Sequence, residues 1–179
     1  MDADRWIERI AQGDTQALDK LVEAFYPEIL RYCLWHAPNP SLAEDAAQET
    51  FLKAIRYFDR YVHRGKFKAF LYQIAANTCI DMGRKKCLTE ASLEDLPAEL
   101  PDSGSALGKL QSDIFFQELV RQLPETDQEL VILRYGQDLT LREISQVTHL
   151  PLRTVQSRLR SALKRLKIQL EGGYFHDKP

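Results

Sequence analysis

The stretch AEDAAQETFLKAIRYFDRYVHRGKFKAFLYQIAANTCIDMGRKK, residues 43–86, decides how the chain is read. It holds two helical patterns. In the first, Ala43, Ala47, Phe51, Ala54 and Phe58 recur at helical spacing as one apolar stripe, while Asp45, Gln48, Glu49, Leu52 and Arg56 project from roughly the opposite side. One face packs and the other is free to bind. In the second, Phe67, Leu71, Ile74, Ala75, Thr78 and Met82 form the stripe expected to be buried. That leaves Gln73, Asn77 and Arg84 on another face, ending in Arg84-Lys85-Lys86, which suits nucleic acid.

Between the two patterns, residues 59–68 alternate cations with aromatic rings. Arg64, Lys66 and Lys68 suit phosphate, and the rings suit unstacked bases, the combination that single-stranded nucleic acid requires. The competing reading is a solvated basic loop whose rings tuck into the core.

Working outward, composition alone decides little: 179 residues, 44% hydrophobic and 28% charged, describe an ordinary globular chain of one domain or two small ones. The formal net charge of -2 conceals strong segregation. From Lys53 to Lys86 the cations are opposed only by Asp59 and Asp81. Residues 90–129 are acidic, opposed only by Lys109 and Arg121, and between Thr140 and Leu170 the cations are opposed by Glu143 alone. Two basic blocks therefore flank an acidic one.

Cys33, Cys79 and Cys87 are odd in number and lack CxxC spacing, so neither a disulfide framework nor a metal site is expected, and no cofactor. Cys33 and His36 lie one helical turn apart, but two ligands do not make a zinc site. No apolar run is long enough to span a bilayer and no signal-peptide pattern opens the chain, so a cytoplasmic protein without membrane insertion is expected.

Upstream of the deciding stretch, residues 4–12 read as a short helix stopped by Gly13, with Asp14 as cap for the next. Leu18 to Cys33 keep helical period through Pro27, which predicts a kinked or interrupted helix. Ser41 and Glu44 have capping-box spacing and are expected to open a helix over 43–58. Downstream, residues 93–108 collect Pro, Gly, Ser and carboxylates, the mark of a solvated tether. Helical period returns from Leu110, and Pro124 begins a further helix over 125–135. Leu141, Ile144 and Val147 mark a short helix, His149-Leu150-Pro151 a turn, and Val155, Leu159, Ala162, Leu163, Leu166 and Leu170 the stripe of a long helix. This is helix-turn-helix organisation. Opposite that stripe lie Arg153, Ser157, Arg160 and Lys164, flanked by Thr154 and Gln156, a face suited to the major groove. The fold expected is all-α, with no strand alternation: two small helical domains, 1–87 and 110–172, a flexible acidic linker at 88–109 and a tail at 173–179.

AEDAAQETFLKA followed by FKAFLYQIAANTCIDMGRKK resembles region two of bacterial sigma factors, in the compact extracytoplasmic-function group. LPETDQELVILRYGQDLTLREISQVTHLPLRTVQSRLRSALKRL, residues 123–166, resembles their region four. The resemblance implies promoter-directed transcription initiation, with RNA polymerase core and promoter DNA as partners. Asp45, Gln48, Glu49, Leu52 and Arg56 would dock on the beta-prime clamp helices. Arg64, Lys66, Lys68, Gln73, Asn77, Arg84 and Lys85 would engage the minus-ten element. Arg153, Thr154, Gln156, Ser157, Arg160 and Lys164 would face the minus-thirty-five element, with the beta-flap tip against the helices around Leu130 to Tyr135. An anti-sigma factor is a further implied partner. Many relatives carry Trp where Phe70 stands, Gly where Arg153 stands and Lys where Gln156 stands, so an unusual upstream preference is expected. Against an enzyme, Glu44, Asp45 and Glu49 are accompanied by no metal-binding, nucleophile or phosphate-cradling motif. The alternative is a free-standing helix-turn-helix regulator that does not act through polymerase core.

Overall fold

The computed structural model describes residues 3–58, 61, 66–89 and 115–173, without the side chains of 84–89 and 171–173. Contacts divide the chain into two units, Met1–Leu100 and Pro101–Pro179, and each folds around its own core. Among the described residues every regular element is a helix.

In the first unit, α1 (Ala3–Ala11) ends at Gly13, whose φ of +89° only glycine adopts freely, and Asp14 caps α2 (Thr15–His36). The Asp14 carboxylate accepts from the Ala17 N–H at 3.2 Å and from Arg9 Nε at 2.8 Å. The Arg9 hydrogen bond, seconded by that of Ala17, holds its carboxyl below the usual carboxylate range. Of the kink or interruption expected at Pro27, the interruption does not occur, and α2 runs as one helix to His36. Pro27 removes one backbone donor, which the surrounding turns and the buried Phe25 and Ile29 outweigh.

Helix α3 (Pro40–Arg56) starts earlier than expected and is not opened by Ser41. Asn39 is the cap, its side chain accepting from Leu42 N–H at 2.9 Å, with Pro40 in the first helical position, where its missing N–H costs nothing. Helix α3 packs against α2 and α4 (Phe67–Thr89) through small residues, Ala43, Ala46, Ala47, Thr50 and Ala54, all at or near zero exposure. Thr50 satisfies its hydroxyl by donating to Ala46 O at 2.7 Å. Helix α4 buries Phe67, Leu71, Ile74, Ala75 and Thr78 as the periodicity predicts, adds Tyr72, and leaves Met82 half-buried. It runs past residue 87, and the remainder of the expected tether lies outside the described residues.

In the second unit, helical residues 115–121 (α5) precede α6 (Glu125–Val131), which passes into a π-helical turn over Ile132–Gly136. That turn is a departure from the single helix expected over 125–135, and its closing bond runs from Gln137 N–H to Ile132 O at 3.0 Å. Helix α7 (Leu141–Thr148) opens on a capping box: Glu143 N–H donates to Thr140 Oγ1 at 3.3 Å, and Thr140 N–H to Glu143 Oε2 at 2.7 Å. It closes on His149 in the left-handed region, with φ of 57°. Ser145 Oγ donates to Leu150 O at 2.6 Å and fixes the turn into α8 (Leu152–Gly173). Leu130, Leu133, Leu139, Ile144, Val155, Leu159, Ala162 and Leu166 make this unit's core. Leu163, expected in the α8 stripe, is instead 41% exposed, because the seam follows i, i+4, i+7 and i+11 from Val155 and leaves it to one side.

Candidate nucleic-acid and partner interfaces

Three surfaces carry the residues that the sequence singles out. On α3, Asp45, Gln48 and Arg56 are exposed and Glu49 half-buried, around a Leu52 that stands 52% exposed. Their spacing from Asp45 of three, four, seven and eleven residues puts all five on one side. An exposed leucine ringed by carboxylates, an amide and a guanidinium gives this face an apolar centre and a polar rim, an anatomy that a protein interface can use. The structure adds Ile55, also exposed, beside the C-terminal end of the patch. The sequence signal for Ile55 is its position one residue beyond the buried Ala54.

On α4, the side opposite the core holds Lys66 at its entry, then Phe70, Gln73, Asn77 and Ile80 at successive helical turns. Lys66, Asn77 and Ile80 are exposed, and Gln73 and Phe70 half-buried. Arg84 continues this register and Lys85 follows it, both in α4 with side chains outside the described set, while Arg64 is outside it altogether. Lys68 is set apart from that face: its Nζ pairs with Glu28 Oε2 at 3.0 Å and lies 5.9 Å from the Tyr72 ring centre. Its charge braces α4 on α2.

The rings of the basic stretch divide in the same way. Tyr61 and Phe67 are buried, packed edge-on at 5.7 Å between centroids, so of the two readings open for the rings of that loop these two follow the one in which they tuck into the core. The Tyr61 hydroxyl donates to Asp4 Oδ1 at 3.0 Å and accepts from the Lys66 N–H at 3.1 Å, which fixes where α4 begins. Phe70, 5.2 Å from the Tyr61 ring, is the aromatic side chain left at the surface of this face. Lys53, counted in the basic block, donates to Thr78 Oγ1 at 3.2 Å and stands 3.7 Å from Asp81.

On α8, Arg153, Gln156, Ser157, Arg160 and Lys164 are exposed and Thr154 half-buried, on the side away from Val155 and Leu159. Ser157 Oγ donates to Thr154 O at 3.1 Å, so its hydroxyl proton is spent within the helix and its oxygen remains an acceptor. Arg158 and Arg165 flank this face without joining it. Both reach back to Asp127, which is only 6% exposed, and Arg158 also donates to Thr126 Oγ1. Of the segment 130–135 expected to meet a flap, Leu130, Val131, Ile132 and Leu133 face the core, and Arg134 donates to Leu139 O at 2.8 Å. That leaves Tyr135 exposed for such a contact.

Among the described residues no group of three or more His, Cys, Asp or Glu is arranged to hold a metal, and no helix is long and apolar enough to cross a membrane.

These surfaces can be set beside known proteins. Residues 21–87 match the family model for sigma-70 region 2, and residues 116–166 that for sigma-70 region 4. The chain is 29% identical over 178 residues to the ECF RNA polymerase sigma factor SigW of Bacillus subtilis, covering 92% of this chain and 94% of that one. To the ECF RNA polymerase sigma factor ShbA of Streptomyces griseus it is 30% identical over 178 residues, covering 92% and 93%. Its fold is similar to that of the sigma factor RpoE solved with the anti-sigma factor NepR from Bartonella quintana, with a TM-score of 0.69, 21% identity, and coverage of 86% of this chain and 96% of that one. With both regions matched in order across the two helical units, the chain belongs to the extracytoplasmic-function group of the sigma-70 family.

Proposed function

We propose that this sigma factor brings RNA polymerase core to promoters through the three faces described, acting by binding and without catalysis of its own. The α3 face of Asp45, Gln48, Glu49, Leu52 and Arg56 docks on the beta-prime clamp helices. The α4 face of Lys66, Gln73 and Asn77, continued by Arg84 and Lys85 and joined by Arg64, takes the separated strand of the minus-ten element, with Phe70 as its ring. Lys68 supports that face from behind through Glu28. The α8 face of Arg153, Thr154, Gln156, Ser157, Arg160 and Lys164 reads the minus-thirty-five element, and Tyr135 meets the beta-flap. The working division is 1–87 and 110–172 with a linker between, and the place of action is the cytoplasm, where polymerase and DNA are.

The observation that carries this reading is the exposed Leu52 within the acidic face of α3, on a different unit from the helix-turn-helix. A free-standing regulator would leave that face without a purpose. A relative of this fold was solved with an anti-sigma factor, and the same exposed faces offer such a partner its contacts. Selection of DNA from a random pool by holoenzyme reconstituted with this chain tests the assignment. Enrichment of paired upstream and downstream elements supports it, and enrichment of a single helix-turn-helix site with no need for core contradicts it.

A further inference from the structure

Cys33 of α2 and Cys79 of α4 meet in the core of the first unit, the Cys79 thiol donating to Cys33 Sγ at 3.8 Å, and neither is in a disulfide. Cys33 has no exposure at all. Cys79 is half-buried and lines a cleft of about 30 Å³ bounded by His36, Pro38, Leu42, Met82 and Gly83. A space of that size admits a molecule as small as water or a peroxide. None of the three binding faces uses either sulfur.

We propose that this pair is a peroxide-oxidisable site: Cys79 takes up an oxygen from a hydroperoxide entering by the cleft, and Cys33 resolves it to a disulfide that ties α2 to α4.

The two thiols have unequal tasks because their surroundings differ. The hydrogen bond with Cys79, followed by burial and the neighbouring charge, pushes the Cys33 thiol far above the ordinary thiol range, so Cys33 keeps its proton. Cys33 has no exposure, so the sulfur that a peroxide in the cleft reaches first is that of Cys79. Its thiolate displaces hydroxide from the peroxide, the O–O bond breaks, and the hydroxide recovers the proton that Cys79 released, giving a sulfenic acid and water. Cys33 Sγ then attacks the sulfenic sulfur; the Cys79 thiol that held the proton on Cys33 has by then been consumed, and that proton leaves with the displaced hydroxide as a second water. Two sulfurs together lose two electrons and the peroxide gains two.

Closing the bond brings the sulfurs from 3.8 Å to about 2.05 Å. Cys33 is enclosed by its own helix and the core, whereas Cys79 borders open space, so α4 is the element that yields. Asn77 lies two residues from Cys79, and the crosslink therefore displaces the face assigned to the separated DNA strand. This consequence rests on the function proposed above.

The test uses the full chain carrying Cys87→Ser, treated with hydrogen peroxide, quenched, and mapped by peptide mass without reduction. The expected product is a linked Cys33–Cys79 peptide that dithiothreitol releases. Cys33→Ala in the same background should stop at a dimedone-reactive sulfenic acid on Cys79, and Cys79→Ala should leave Cys33 unreacted, with helicity confirming that both variants fold. Thiols that stay alkylatable after peroxide and denaturation, or crosslinks only between molecules, overturn the proposal. In holoenzyme, the oxidised chain should bind a minus-ten single strand several-fold more weakly, with recovery on reduction. Unchanged affinity despite the linked peptide overturns the coupling to DNA. If the reduced holoenzyme binds no strand at all, the functional reading fails instead, and the thiol chemistry is judged by the peptide map.

Discussion

Arg158 Nε donates to Asp127 Oδ1 at 3.0 Å, and this bond withdraws one arginine of the long helix from the exposed face of Arg153, Arg160 and Lys164 while fixing that helix on α6. Asp127 is buried and its partner a third exposed, with Arg165 3.6 Å from the other oxygen. Asp127→Ala should cost about 1.5–3 kcal/mol, because the cut strips a charged hydrogen bond and leaves Arg158 to find water. Urea unfolding of the full chain measures it. A cost within 0.5 kcal/mol or so of zero would reduce the bond to a surface ornament.

Arg160 and Arg153 stand on the opposite side of the same helix, exposed. Either arginine replaced by alanine should change base preference at particular upstream positions, by about 1–3 kcal/mol for a bidentate guanine contact. Arg158→Ala should instead lower stability with base preference intact. Competitive binding to a library randomised over the upstream element, at one salt concentration, separates the cases. Uniform weakening of every sequence by both exposed variants would make them phosphate clamps.

The cap at Asp14 gives the first unit an acid-sensitive joint. The sign follows from the direction of the shift: the folded state holds this carboxyl below its ordinary value, chiefly through Arg9, so the native chain binds fewer protons than the unfolded one. The contribution is complete above about pH 4, the unfolded value, and is lost as pH falls through the lowered folded value. Asp14→Asn keeps a cap acceptor but loses the charge. Thermal melts from pH 6 to pH 2 should show wild type losing its advantage over the variant at the acid end, and parallel curves would contradict this.

Tyr61 ties α1 to the start of α4 through one hydroxyl. Tyr61→Phe removes the bonds to Asp4 and to the Lys66 N–H while keeping the ring on Phe67, so a loss of about 1 kcal/mol per bond is expected. Hydrogen exchange at Lys66 should rise with it. Unchanged protection there would show that packing alone sets the entry of α4.

Periodicity was enough to find the helices because each buries one face against a single neighbouring layer. Ala43, Phe51, Leu71, Val155 and Leu159 all lie where their spacing puts them. Caps were less legible: Ser41 and Glu44 have the right spacing, yet Asn39-Pro40 starts the helix, since proline needs no partner for its nitrogen there. The capping box that does form, Thr140 with Glu143, has the same pattern ahead of a shorter helix. The exposed sides of α3, α4 and α8 were readable as faces. What the sequence withheld was which cations are already engaged: Lys68 with Glu28, Lys53 with Thr78, and Arg158 with Asp127 pair residues between 25 and 40 positions apart. The burial of Tyr61 was equally hidden, because a tyrosine in a basic loop suits a base stack and a core alike until its hydroxyl finds Asp4.

The central claim is that the α3 face couples polymerase core to the DNA-reading faces. Transcription from a linear promoter template, recovered from the DNA selection, by purified core with and without this chain tests it most directly. A start-specific transcript should appear only with the chain present. It should fall about tenfold or more for Asp45→Ala with Glu49→Ala at limiting sigma, although that double variant stays folded, because an exposed Asp45 and a half-buried Glu49, neither in the core, add little to stability. A chain that binds the promoter alone and gives no start-specific transcript, or a double variant with full activity and full affinity for core, would contradict the claim.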